Sequence, residues 1–365
     1  MRPSILWIAC LLSVTPCADG SDSAVVFPFD PVALAEGREV DGKAEWKVVR
    51  DNYEYRFESD ESRKKFEAQP EAFEIQLGGA CARMGSLSGQ GRPTLFARHN
   101  RRLYLFASES CRSNFLKAPD KLLLVDDEKP QPSEGELADG KSMVEQFLKS
   151  VATEEILRSI VSIQMMTTKK VMSGNKEYVN RQEVAFSSSG DSRYDEWWNS
   201  SRFGRLQSNG KGWFVESDGT RPMVAVQERD HRNHLCEHYA GLLMELLSPA
   251  ESTIIRGLPV VTEDGQTWNQ FELYSNGIRK VISQDPKSGR IRRMKFRGHG
   301  PTLAVLSITM EFDEFETVND LSLPRISLRL AEEQVREKGV RSEWIYVVNP
   351  ELPAGHFQPP GTDAR

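Results

Sequence analysis

The chain has 365 residues, with 39% hydrophobic residues and 47 basic against 53 acidic side chains, a formal net charge of −6. This balance excludes collagen-like, coiled-coil and wholly disordered chains, and it argues against a general nucleic-acid binder, which needs clustered positive surface. The length fits two domains, and five cysteines are too few to build a disulfide scaffold of this size.

Residues 1–20 read as a secretory signal peptide. Arg2 supplies a basic start, Ile5 to Val14 is a short apolar run, and Ala18 and Gly20 sit at the −3 and −1 positions of a cleavage site. The run is too short to span a bilayer, and no other segment approaches the length a transmembrane helix needs. An exported, periplasmic protein without a membrane span is therefore expected. Cys17 follows the apolar run as the acylated cysteine of a bacterial lipoprotein does, but Pro16 is not the small residue that normally precedes it. Cleavage after Gly20 leaves Cys81, Cys111 and Cys236.

Residues 24–125 contain a duplication. Tyr55, Phe57, Ser59, Arg63, Phe66 and Pro70 recur 49 positions later as Tyr104, Phe106, Ser108, Arg112, Phe115 and Pro119. Each copy reads as a strand, a short amphipathic helix and a terminating proline, with Ser59 and Ser108 as helix caps. Phe57, Phe66 and Phe73 are expected to face one core, and Phe106, Phe115 and Leu122 another.

Together with Phe29-Asp30-Pro31-Val32-Ala33 and Gly78-Gly79-Ala80-Cys81-Ala82, these motifs resemble the YHS family, a small module related to TRASH metal-binding domains. The resemblance implies a site for zinc or copper at the start of the second helix, where two cysteines are usual. Here Ala107 replaces the first and Cys111 occupies the second, while Glu58 and Ser62 stand at the equivalent positions of the first copy. Cys111 at a helix N-terminus is a candidate reactive thiol or metal ligand. A Cys81–Cys111 disulfide, or two buried structural thiols, is the preferred expectation.

Residues 126–141 read as an acidic linker, carrying a net −5 between Asp126 and Gly140. Ser142 and Glu145 then form a capping-box pattern at the start of an amphipathic helix. Beyond Ile163 the apolar period shifts towards two. Strands are expected at Ile163–Met166, Tyr178–Phe186, Gly212–Glu216, Met223–Gln227, Gln266–Tyr274 and Arg279–Ser283. Further strands are expected at Ile291–Phe296, Ala304–Phe312, Ile326–Leu330 and Glu343–Val348. Turn pairs such as Asn209-Gly210 separate several of them. About ten strands in succession suggest one curled antiparallel sheet, interrupted by a helix from about Asp230 to Leu247.

The order of these elements over residues 142–360 resembles the LolA-like fold of periplasmic lipoprotein carriers. The helix at 142, Gly212-Trp213, the mid-domain helix, Asp285 to Ile291, Leu321 to Ile326 and the Val348 to Phe357 tail carry that resemblance. It implies an antiparallel half-barrel with covering helices around an apolar cavity. The fold class expected for the whole chain is α+β, a duplicated strand–helix module followed by this half-barrel. Trp197, Trp198, Phe203, Trp213 and Phe214 are candidate ligand-binding residues on its wall or rim, or else they fill the barrel.

The densest local cluster is His231, His234 and His238, which on one continuous helix would share a face. Three imidazoles so placed are candidate ligands for zinc or copper, with a solvated polar face as the favoured alternative. The cluster lacks the His-Glu-x-x-His spacing of zinc proteases, and no P-loop, dinucleotide fingerprint or Gly-x-Ser-x-Gly elbow is present. Six basic residues between Lys287 and Arg297 read as a solvated sheet face, or as a patch for anionic headgroups. The combined expectation is an exported, non-enzymatic binding protein for a lipid, an acyl chain or a lipidated partner. Metal handling and envelope-protein docking are the alternatives.

Overall fold

A computed structural model describes residues 24–173, 176–216, 219–263, 265–332 and 334–359. The signal-peptide segment, with Cys17, lies outside the described residues.

The duplicated region folds as two strand–helix units. The first comprises β1 (Val25–Phe27), α1 (Pro31–Glu36), β2 (Lys43–Arg50), β3 (Tyr53–Phe57), α2 (Asp60–Ala68) and α3 (Pro70–Phe73). The second comprises β4 (Arg92–His99), β5 (Arg102–Phe106) and α4 (Glu109–Lys117). Ser59 and Ser108 cap α2 and α4 alike, each accepting an amide hydrogen bond of 3.2 Å from the residue three positions on. Phe57 and Phe66 enter one small core with Phe73 at its edge, while Phe106, Phe115 and Leu122 build another. Each aromatic set lies where the repeat predicts.

The larger domain is mostly β. Its helix α5 (Glu134–Val151) is followed by α6 (Glu154–Arg158). A first meander contains β6 (Ser162–Ser173), β7 (Lys176–Ser187), β8 (Ser192–Trp198), β9 (Ser201–Ser208), β10 (Lys211–Glu216) and β11 (Gly219–Pro222). Two helices follow, α7 (Ala225–Leu235) and α8 (Tyr239–Leu247). A second meander runs through β12 (Ile254–Glu263), β13 (Gln266–Ser275), β14 (Ile278–Gln284), β15 (Ile291–His299), β16 (Val305–Val318) and β17 (Leu321–Ala331). The last two strands are β18 (Val340–Glu343) and β19 (Ile345–Val348).

The strands form two open seven-stranded antiparallel sheets rather than one sheet of about ten. Trp344 joins them. The chain pairs with β17 before it and with β6 after it, so a single residue carries the backbone from one sheet to the other. The Trp344 amide donates to the Arg325 carbonyl, and its indole Nε1–H donates to Ser327 Oγ at 2.8 Å. Both sheets turn apolar residues onto α5 and α8 in one core that includes Phe147, Tyr239, Phe271, Phe312 and Tyr346. The concave face is therefore largely filled by helices and is not an empty apolar lumen.

Four further differences from the sequence reading have local causes. Helix α5 begins at Glu134, inside the expected linker, because Ser133 and Glu136 form the capping box there; Ser142 and Glu145 lie within the helix. The interrupting helix is two helices, broken at Cys236–His238. Residues 223–227 lead into α7 and are not a strand, while β8, β9, β11 and β12 are additional strands. Finally, Asp126 and Asp127 are strapped onto the larger domain: Asp126 pairs with Arg229, and Asp127 pairs with Arg297 at 2.9 Å and accepts from the Arg279 amide. Turn chemistry was more legible, since Asn209 and Gly210 both adopt the positive φ of a two-residue hairpin turn.

The small module docks on the larger domain through α7. Gln227 is fully buried, and its side-chain NH2 donates to the carbonyls of Leu77 and Ser86, both at 3.1 Å. Ser86 hydrogen-bonds Asp230, and Asn52 reaches the Pro222 carbonyl. These contacts lay residues 84–87 across the concave side of the sheets.

Candidate functional site

Residues 230–238 separate two cavities. Asp230, Asn233, His234 and Glu237, at helical i, i+3, i+4 and i+7 spacing, face one of them; Arg232, Leu235 and Cys236 face the other.

The first cavity gathers charged side chains among apolar ones and has a volume of about 270 Å³. It lies between the concave face of the sheets, α7 and the 84–87 loop of the small module. Strand alternation delivers its side chains. Lys169 continues the inward series Ile163, Met165 and Thr167, and Lys280 sits between the buried Ile278 and Ile282. Lys280 is 1% exposed, and its ammonium donates to Asn233 Oδ1 at 3.0 Å and Ser275 Oγ at 3.2 Å, both neutral. Lys169 donates to Ser342 Oγ at 3.4 Å; burial, reinforced by the nearby Arg329 cation, lowers its pKa.

Glu237 is the buried carboxylate of this wall. Burial alone would raise its pKa, but Arg329, whose Nε lies 3.2 Å away, and His234 hold it down at about 2. Arg329 also donates to the His299 carbonyl at 3.0 Å. His238 stands at the start of α8, its ring 5.5 Å from that of His234 and 5.3 Å from Trp344. Its Nε2, like that of His234, is buried without a hydrogen-bond partner among the described residues. Burial and the neighbouring His234 bring the His238 pKa down to about 3.

The helix break corrects the three-histidine face. His234 and His238 share the cavity, whereas His231 is buried outside its lining, with burial holding its imidazole well below the usual range. Among the described residues no three His, Cys, Asp or Glu side chains converge in a geometry that could hold a metal ion. Cys81 and Cys111 lie buried side by side in the small module, without a disulfide bridge. The hydrogen bond with Cys111, together with burial, raises the Cys81 thiol pKa and favours its protonated form.

The second cavity is an open groove of about 700 Å³ between α6, α8 and the β7–β8 turn. Leu148, Leu157, Ile160, Phe186, Met244 and Leu247 give it apolar lining, and the serines of the β7–β8 turn with Glu154, Arg158, Asp191, Arg232 and Glu245 make the rest largely polar.

The five aromatic candidates lie elsewhere. Trp197 on β8 is half-buried between the guanidinium groups of Arg181 and Arg202, 5.0 and 5.7 Å from its ring. Trp198 is half-buried, Phe203 is exposed, and Trp213 is half-buried on β10. Phe214 is buried with Arg221 4.2 Å over its ring. None of the five lines either cavity. The 287–297 basic run is extensively paired: Arg292 meets Asp313, Arg293 meets Glu263 and Glu311, and Arg297 meets Asp127. Sequence reasoning missed Lys169, Lys280, Glu237 and Arg329. The signal available was a lysine at an inward-facing strand position, which alternation exposes.

No family model matches the chain, and no curated protein does. Among solved structures it is similar to a DUF1329 family protein from Desulfovibrio piger, at 11% identity and a TM-score of 0.38, covering 61% of this chain and 97% of that one. It is similar to a LolA superfamily protein from Nitrosomonas europaea, at 13% identity and a TM-score of 0.40, covering 60% and 96%. A domain described as an outer membrane lipoprotein-sorting protein, from Vibrio parahaemolyticus, matches at 14% identity and a TM-score of 0.36, covering 62% and 97%.

Proposed function

We propose that this protein is an exported, non-enzymatic binding protein that holds an acyl chain, as a lipid or on a lipidated partner, in the groove between α6 and α8. The observation that carries this reading is the groove itself, where Leu148, Leu157, Met244 and Leu247 are partly exposed above the buried Ile160 and Phe186. Its volume of about 700 Å³ falls within the range of small-ligand sites. Each methylene removed from water contributes about 0.8 kcal/mol. Shielding about eight methylenes gives on the order of 6 kcal/mol before the cost of immobilising the chain. The export signal in residues 1–20 and the LolA-like order of elements in residues 142–360 support the same reading. The small module is read as a YHS-like scaffold that docks on the larger domain.

Fluorescence titration with dansyl-undecanoic acid tests this. Wild-type protein is expected to bind the probe saturably. Met244→Glu, which places a carboxylate among the groove's apolar side chains, is expected to weaken binding at least tenfold while leaving the circular dichroism spectrum unchanged. Absence of binding to wild type, or equal binding by the folded variant, contradicts the proposal.

A further inference from the structure

The first cavity is separate from the groove and gathers different groups. Four cations, Lys169, Lys280, Arg297 and Arg329, line it against two carboxylates, Asp230 and Glu237. The carboxylates are already engaged, Glu237 with Arg329 and Asp230 with Arg229 and Ser86. Arg297 is matched by Asp127. Two ammonium groups remain, Lys280 buried and Lys169 partly buried, whose hydrogen-bond partners among the described residues are neutral: Asn233 and Ser275 for Lys280, and Ser342 for Lys169. Glu196, whose hydrogen-bond donors Asn180 and Gln182 are neutral, offsets part of the Lys169 charge without accepting a hydrogen bond from its ammonium, which leaves Lys280 as the less compensated of the two.

A buried cation without a matched anion is costly, and such a group is stabilised when a charge of opposite sign enters its site. Each ammonium has three donors; Lys280 uses two and Lys169 one among the described residues. His238 adds a second, independent sign of a ligand. It is nine-tenths buried, lines the cavity, and its Nε2 lacks a partner among the described residues. His234 Nε2 stands in the same condition on the same wall. Donors therefore approach the cavity from β6, β14, α7 and the start of α8. A carboxylate offers two oxygens in one plane, whereas a tetrahedral phosphate presents oxygens in several directions. A cavity of about 270 Å³ suits a headgroup-sized ion and not a long chain.

The geometry points to a binding site for a phosphate group, held by Lys169, Lys280, His234 and His238 and covered by residues 84–87 of the small module. The group is supplied as a free phosphate ion or as the phosphomonoester head of a lipid. Either source uses the same donors. The small module thereby completes a site that neither sheet encloses alone, which gives its docking through Gln227 a functional consequence.

Isothermal titration of the mature chain with inorganic phosphate, and separately with dihexanoyl phosphatidic acid below its micelle concentration, tests the site. One-to-one binding of inorganic phosphate identifies the free ion as sufficient, and binding of the phosphatidic acid alone identifies the lipid head. Lys169→Gln is expected to weaken whichever ligand binds at least tenfold, and His238→Asn to weaken it several-fold. Met244→Glu, on the groove side, is expected to leave phosphate binding unchanged, so failure here is distinguishable from failure of the acyl-chain reading. The inference is overturned if neither ligand binds wild type, or if folded Lys169→Gln binds as tightly as wild type.

Discussion

The cavity and the groove share a wall but gather different groups: charged side chains from both sheets meet in the first, while the second mixes apolar side chains with serines and charges. Residues 230, 233, 234 and 237 give one side of that wall carboxylates, an amide and an imidazole, while Leu235 and Cys236, with the guanidinium of Arg232, give the other side a more apolar surface. Helices supply much of the groove's lining, whereas the cavity's donors come half from inward strand positions, Lys169 and Lys280, and half from α7 and the start of α8, His234 and His238. The difference shows that the concave side of the sheets is not uniformly apolar. The core packed on α5 and α8 fills most of it, and the space left beneath the small module is lined by charge.

Acid acts first on the buried imidazoles. His238 has a folded pKa of about 3, and His231 is also held well below the ordinary value near 6.5. Below pH 6.5 the unfolded chain takes up protons that these folded imidazoles refuse, so stability falls as pH falls. The slope is about 1.4 kcal/mol per pH unit for each group. A loss of about 2–3 kcal/mol between pH 7 and 5.5 is expected from urea unfolding, above the range in which the carboxylates respond. His238→Asn is expected to remove about half of it; an unchanged pH dependence would contradict the buried, neutral assignment.

A smaller effect separates the cavities more sharply. Gln227→Ala leaves the Leu77 and Ser86 carbonyls without their buried donor, at a cost of about 1–2 kcal/mol. Hydrogen exchange is expected to quicken in residues 84–88, and phosphate affinity to fall, with dansyl-undecanoic acid binding retained. Parallel loss of both ligands would mean that the two sites are one cooperative unit.

Much of the scaffold was legible where local rules and packing agree. The repeat placed the caps at Ser59 and Ser108 and the aromatic cores, and Asn209-Gly210 placed a hairpin. Two glycines bear on the misplaced helix ends. The acidic, Pro- and Gly-containing composition made residues 126–141 look like linker, yet a Cβ at Gly140 would lie 2.8 Å from Arg256 Cα, so that glycine permits α5 to cross β12 closely. Gly241 lets α8 turn against α7, since a Cβ would meet the Leu235 carbonyl oxygen at 2.1 Å. The apolar spacing through Leu235, Tyr239 and Leu242 stays in helical phase across that break and conceals it. The polar site was illegible as a unit because its members lie on separate strands and helices that only tertiary pairing brings together. The tryptophans misled because size and apolarity do not reveal which face of a strand, or which partner, a ring meets.

Photolabelling with diazirine-bearing palmitate, followed by peptide mapping, tests the central claim most directly. The account predicts adducts on Leu157, Met244 or Leu247, suppressed by excess unlabelled palmitate. Adducts confined to the first cavity or to the Trp197–Phe203 hairpin, or no competable labelling at all, would contradict it.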